Sequence, residues 1–192
     1  MKSVFLCGAH SVGKTTLLAS LAQEQRFKGY KREQELARGI IKQQKLKRDD
    51  FDHQKHPDAF ERLQLDILQK QNEVEERNTK EGVPYLMDRG IDPLVYARYY
   101  LGEEAYKRLL DNPWAGTSLE RYRSKSSRLF VIEPHQQCIE DDGVRVRPNL
   151  KELQEFTRVM KKTLDENRIN YTIIHDLDIR RRVQVVLEAT KT

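Results

Sequence analysis

Only two cysteines, Cys7 and Cys138, occur in the 192 residues, too few for a disulfide framework and without zinc-site spacing. The nine glycines and six prolines are scattered singly, so no flexible linker, low-complexity tract or internal repeat divides the chain. One domain over residues 1–192 is expected. No apolar run approaches the roughly 20 residues that a membrane-spanning helix needs. The first apolar segment starts almost at Met1 and leaves no room for a signal peptide, and the sparse thiols suit a reducing compartment, so a cytoplasmic protein is expected. A large excess of one charge sign is also missing. Lys plus Arg number 35 against 30 Asp plus Glu, a net +5 that suits a small anionic ligand without demanding nucleic acid. Basic clusters at Lys42–Arg48, Arg121–Arg128 and Arg180–Arg182 read as solvated faces. A nucleic-acid or anionic-lipid role for Arg121–Arg128, with Tyr122 to stack, is the lesser alternative.

What is present is an alternation of short apolar runs with helical periodicity. Val4–Cys7, Val83–Met87, Leu129–Ile132 and Tyr171–Ile174 read as buried strands, and Tyr30–Glu33 as a weak second strand. Helices are expected over Thr16–Ala22, Leu36–Gln44, Asp58–Lys80 (with Asp58 as cap), from Asp92-Pro93, after Gly102, from Asn149 or Lys151 to about Asn167, and from Asp178. Lys45–Asp58 reads as a polar surface excursion. Its His53 and His56 have no thiol or compact carboxylate set beside them and read as loop histidines, not metal ligands. Trp114 reads as a packing anchor. Strands alternating with helices imply a parallel sheet covered on both faces, with a ligand at the carboxyl ends of the strands.

Four segments fall at those ends. Gly8-Ala9-His10-Ser11-Val12-Gly13-Lys14-Thr15 fits G-x-x-x-x-G-K-[ST] and lies between the first strand and first helix, where backbone N–H groups and the helix N-terminus can cradle phosphates. Gly8, His10, Ser11, Val12, Gly13, Lys14, Thr15 and Thr16 are the expected nucleotide-binding residues. Lys14 would reach the β- and γ-phosphates, and the Thr15 hydroxyl would hold Mg²⁺. Asp88 closes the third strand. It stands either to hold Mg²⁺ or its waters, or to take a proton from an attacking hydroxyl. Arg89 follows it and can clamp an anion. Glu35 and Arg38, three apart on one helical face, either grip an acceptor or pair with each other. Glu133-Pro134 leads into a loop with Asp142-Gly143 and Arg145, which reads as a lid over about 135–148 whose Arg145, ahead of Arg147, would neutralise charge in transfer.

The ordered segments GAHSVGKTTL, ELARGII, PYLMDRGIDPLVYA, LFVIEP and DDGVRV resemble the P-loop kinase/ATPase domain of NadR-type ribosylnicotinamide kinases and their AAA-type eukaryotic relatives. The Asp88-Arg89 pair also resembles the acid–Arg pair of deoxynucleoside and thymidylate kinases. The resemblance implies a five-stranded parallel sheet of order 2-3-1-4-5 and ATP as phosphate donor. No segment resembles the nucleotidyltransferase domain of the bifunctional bacterial enzymes, and Lys45–Asp58 and Arg121–Arg128 match nothing in the family. An Asn-Lys-x-Asp guanine motif is absent from the sequence. The expected activity is ATP·Mg²⁺-dependent γ-phosphoryl transfer to a small hydroxyl acceptor, a nucleoside first among candidates. The alternative is an ATPase or nucleotide switch acting on a protein partner.

Overall fold

The computed structural model describes residues 2–34, 36–138 and 149–191. Five parallel strands form one sheet: β1 (Ser3–Cys7), β2 (Lys31–Glu33), β3 (Tyr85–Asp88), β4 (Ser127–Ile132) and β5 (Tyr171–Ile174), in the order β2-β3-β1-β4-β5. The order follows from composition. β1, β3 and β4 are nearly continuous apolar runs, buried along almost their whole length, and take the centre; Lys31-Arg32-Glu33 cannot be buried on both faces and takes an edge. Register aligns the carboxyl ends: Leu6 sits opposite Asp88, and Cys7 opposite Val131.

Helices α1 (Lys14–Leu21), α2 (Leu36–Gln43), α3 (Pro57–Lys80), α4 (Asp92–Leu101), α5 (Glu103–Leu110), α6 (Pro113–Arg123), α7 (Leu150–Glu166) and α8 (Ile179–Ala189) connect the strands. Their starts carry the expected caps. Asn112, Asn149 and Asp178 each accept a backbone N–H of the first turn of α6, α7 and α8. At α3 the cap position is His56, with Pro57 opening the helix and Asp58 in its first turn, so Asp58 favours the helix dipole instead of capping it. Among the described residues no helix is long and apolar enough to cross a membrane.

The main core unites the central strands with α1 and α3–α8, and Trp114 packs against it. A second, smaller cluster joins Ile40 of α2 to Leu63 and Ile67 of α3. The excursion before α3 is less of a surface feature than its composition implies. A short 3-10 turn at Arg48–Phe51 lets Phe51 pack onto that cluster, and the His53 ring lies 4.3 Å from the Tyr100 ring.

Several basic residues also turn their heads to protein partners instead of to solvent alone. Arg121 Nη1 donates to Glu75 Oε2 at 2.5 Å, and Tyr122 donates to Glu75 Oε1 at 2.7 Å, so α6 is tied to α3 through a buried acid. Arg123 donates to the Asn167 carbonyl at 2.7 Å and Arg128 to the Ala189 carbonyl at 3.3 Å. Both carbonyls stand at helix C-termini, where backbone partners run out and an arginine can take their place. A run of like charges in sequence does not become one exposed basic face.

Candidate functional site

The site begins where β1 ends. The loop from Gly8 to Gly13 takes positive φ at Gly8 (148°), Ser11 (61°) and Gly13 (87°), which bends it tightly at the carboxyl end of the central strand. A Cβ on Gly8 would stand 2.9 Å from the Ile132 carbonyl oxygen, so the backbone lies closer to β4 than any side chain allows. Lys14 opens α1 and is buried. Its ammonium donates to the carbonyls of Gly8 at 2.9 Å and Ala9 at 2.5 Å, which holds the charge across the mouth of the loop. His10 Nδ1 lies 3.4 Å from the Ser11 hydroxyl, Val12 is buried, and Thr16 stands exposed on α1. A glycine-lined turn, a cationic side chain and the N-terminus of an eight-residue helix fit a polyphosphate.

The strand register brings the third-strand acid to this loop. Thr15 Oγ1 donates to Asp88 Oδ2 at 2.7 Å, joining residues 73 apart in sequence. Both oxygens are hard ligands of the kind Mg²⁺ prefers. Asp88 is buried and Thr15 exposed, so the pair spans the boundary between core and solvent.

Arg89 continues the strand direction, its N–H bonding to the Leu6 carbonyl at 2.9 Å, but its own φ of 95° turns the chain sharply. Its Nη1 donates to Asp92 Oδ1 at 3.1 Å, and its guanidinium lies 5.6 Å from the centre of the Tyr96 ring. The other oxygen of Asp92 accepts the Gly90 N–H at 2.9 Å. One buried carboxylate therefore fixes both the side chain of Arg89 and the turn that aims it. Asp92 reads in sequence only as a helix start; its position three residues after Arg89 was the available signal.

Beside Arg89 lies a cavity of about 160 Å³ between α2, α3 and α4. Ala37 and Ile41 of α2 face it, with Phe51 from the excursion. Phe60, Leu63, Ile67 and the buried Gln64 line it from α3; Pro93 and Tyr96 come from α4, and Arg89 and Asp92 complete it. Aromatic walls, one amide and one guanidinium–carboxylate pair make a chamber suited to a small ring with a polar edge.

Of the remaining expected residues, Arg38 sits exposed on α2 next to Ala37. Glu35 and Arg145 lie outside the described residues, as do positions 139–148 of the expected lid; before them Gln136–Cys138 form a short 3-10 turn. Glu133 pairs with Lys161 and with His175 Nδ1 at 2.7 Å; burial works to raise its carboxyl, but these two partners hold it below its ordinary value. Burial pushes the Cys7 thiol well up, which makes it a core group beneath the loop and not a nucleophile.

The sequence reading missed Arg182. It is buried, with Nη1 donating to the Val12 carbonyl at 2.7 Å and Nε to the Asp176 carbonyl at 2.5 Å. The helical spacing of buried Arg182, Val183 and Val186 on α8 was the signal that set it apart from Arg180 and Arg181.

Comparison with known proteins agrees with this architecture. A crystal structure of NadR protein in complex with NR superposes with a TM-score of 0.70 and 23% identity, covering all of this chain and 52% of NadR. NadR in complex with NAD and AMP-PNP gives 0.68 and 21%, with 50% of that chain covered. The chain thus spans about half the length of these NadR structures. Deoxyadenosine kinase from M. mycoides, with products dCMP and a flexible dCDP bound, gives 0.59 and 12%, with 98% of both chains covered. Shikimate kinase from Acinetobacter baumannii, in complex with shikimate, gives 0.55 and 12%, over 100% of this chain and 96% of that one. At these identities the likeness establishes the fold. No curated protein sequence matches significantly. Residues 3–182, nearly the whole chain, match the family model of the AAA domain, and the chain belongs to that family.

Proposed function

We propose that this protein binds ATP·Mg²⁺ and transfers the γ-phosphoryl group to a hydroxyl of a small acceptor, with a nucleoside as the leading class. The observation that carries this reading is the 2.7 Å hydrogen bond from Thr15 to Asp88 at the mouth of the phosphate loop. It supports Asp88 as organiser of the metal site, ahead of its alternative as proton acceptor. When bound, ATP·Mg²⁺ supplies the phosphoryl group and neutralises charge on its oxygens. The chain's own part is to hold and orient. Gly8, His10, Ser11, Val12, Gly13 and Thr16 shape the cradle, and Lys14 sets a fixed positive charge on it. Arg89, held by Asp92 and next in the chain to Asp88, presents a guanidinium at the cavity wall, where it would neutralise charge on the transferred group.

The cavity supports a small ring-bearing acceptor, since Phe51, Phe60 and Tyr96 offer faces and Gln64 an amide that can both donate and accept. The NadR and deoxyadenosine kinase structures hold NR and dCMP, and shikimate kinase holds shikimate, all small molecules on the same kind of sheet. Glu35 and Arg38 are assigned to the acceptor side and Arg145 to a lid, on sequence grounds. The same reading places the protein in the cytoplasm, where ATP is available.

The test is transfer of labelled γ-phosphate from ATP to a panel of nucleosides and other small alcohols, with wild type and Lys14→Ala. Acceptor-dependent product from wild type and its loss in the variant support the proposal. Phosphate release that no acceptor alters would favour an ATPase or switch instead. Equal turnover in the two proteins would remove the phosphate loop from the reaction.

A further inference from the structure

Arg182 lies on α8, far in sequence from the phosphate loop, yet it touches that loop directly. Its Nη1 donates to the Val12 carbonyl at 2.7 Å, and a Cβ on Gly13 would meet the same nitrogen at 3.0 Å. Val12 stands between two left-handed residues, Ser11 at φ 61° and Gly13 at φ 87°. Its carbonyl therefore belongs to a peptide that no regular ladder orients. In a trans peptide the C=O and the following N–H point to opposite edges of one plane. A guanidinium that takes the Val12 carbonyl on the α8 side turns the Gly13 N–H to the other side, toward the cradle and the start of α1.

The arginine is itself fixed. Its Nε donates to the Asp176 carbonyl at 2.5 Å, in the turn between β5 and α8, and its side chain is buried. The far end of α8 is tied down separately: Arg26 donates to the Thr190 hydroxyl at 3.1 Å and to the Thr190 carbonyl, and Arg128 to the Ala189 carbonyl at 3.3 Å. α8 also packs along α1. A strut pinned at both ends thus delivers one charged fork to one carbonyl of the phosphate loop.

We propose that Arg182 is a positioning residue of the phosphate loop, holding the Val12–Gly13 peptide in the orientation that presents the Gly13 N–H to a nucleotide phosphate. This rests on the phosphate-binding reading above. Without the guanidinium the peptide can rotate, and a carbonyl oxygen then faces the cradle and repels the anion. Losing one charge-assisted bond and its alignment corresponds to roughly ten-fold or more in affinity.

The experiment measures ATP·Mg²⁺ binding by calorimetry for wild type, Lys14→Ala, Arg182→Met and Arg182→Lys, with thermal unfolding and the ¹⁵N–¹H resonance of Gly13 in each. Arg182→Met is expected to weaken binding about ten-fold and to shift the Gly13 resonance before nucleotide is added. Arg182→Lys, whose ammonium has no fork to span both carbonyls, is expected to fall between. If Arg182→Met does not fold, the same two readings on Arg182→Lys decide. A folded variant that loses thermal stability but keeps wild-type affinity and an unmoved Gly13 resonance would reduce Arg182 to a structural strut and overturn the proposal. Should wild type not bind ATP·Mg²⁺, or Lys14→Ala bind it equally well, the phosphate-loop reading falls and takes the proposal with it. Should Lys14→Ala lose binding while the Arg182 variants keep it, only the proposal falls.

Discussion

Glu75 gives the fold a pH dependence that one substitution isolates. Its carboxyl group on α3 is fully buried against α6 and accepts hydrogen bonds from Arg121 at 2.5 Å and Tyr122 at 2.7 Å. The Tyr122 ring in turn packs 4.9 Å from that of Phe5 on β1. Burial pushes the carboxyl from its ordinary 4.5 up to about 7, against the pull of Arg121 and Tyr122. The folded protein therefore keeps a proton on Glu75 that the unfolded chain releases, and the corresponding stability is complete below about pH 4.5 and lost as pH rises through about 7. At about 1.4 kcal/mol per pH unit, that rise amounts to about 3 kcal/mol. Glu75→Gln resembles the protonated form and still accepts from Tyr122, but it does not titrate. Urea unfolding of both proteins from about pH 4 to about pH 8 is the assay. With a urea slope of about 2 kcal/mol per molar, the wild-type midpoint should fall by roughly 1.5 M relative to the variant across that range. The exposed acids act in the opposite sense. Hydrogen bonds from Arg98 and Arg158 hold Glu103, Glu166 and Glu155 below their ordinary values, but that contribution is common to both proteins and cancels in the difference. Midpoints that move in parallel would refute the buried-acid argument.

Gly8→Ala should damage both stability and nucleotide binding. The residue sits at φ 148° with the Ile132 carbonyl 2.9 Å from any Cβ, and strain plus displacement of the loop should cost about 1–3 kcal/mol in thermal unfolding. Calorimetry should show ATP·Mg²⁺ affinity falling with it; unchanged affinity would mean the loop tolerates movement away from β4. Gln64→Leu keeps the volume of the cavity wall but removes its amide. If a polar-edged ring binds there, the acceptor KM should rise about ten-fold or more while the KM for ATP holds, and initial-rate kinetics against each substrate separate the two.

The elements that were legible in the sequence are those where one local requirement decides the outcome. Val4–Cys7 has to be a buried strand, and Gly8 to Thr15 has the glycine spacing that a tight anion-binding turn needs, so the loop and its flanks fall where expected. Asp88 was legible for the same reason, as a charge that ends an apolar run. The order of the strands was not local, and came from resemblance to a family. What escaped were residues whose meaning depends on a distant partner. Arg121 looked like surface because Glu75, which buries it, is 46 positions away, and Arg182 looked like part of a basic run because Val12 is 170 positions away. Phe51 similarly reads as part of a polar excursion until α2 and α3 come together to receive it. Each of these is an exception within its own segment: an arginine at an apolar helical position, an aromatic in a charged loop. Such exceptions cost desolvation or exposure if left unpartnered, so a folded chain that retains them has found them partners. At Arg182 the partner is the phosphate loop itself. The residue that looked most ordinary in the sequence therefore meets the most chemically specific segment in the chain.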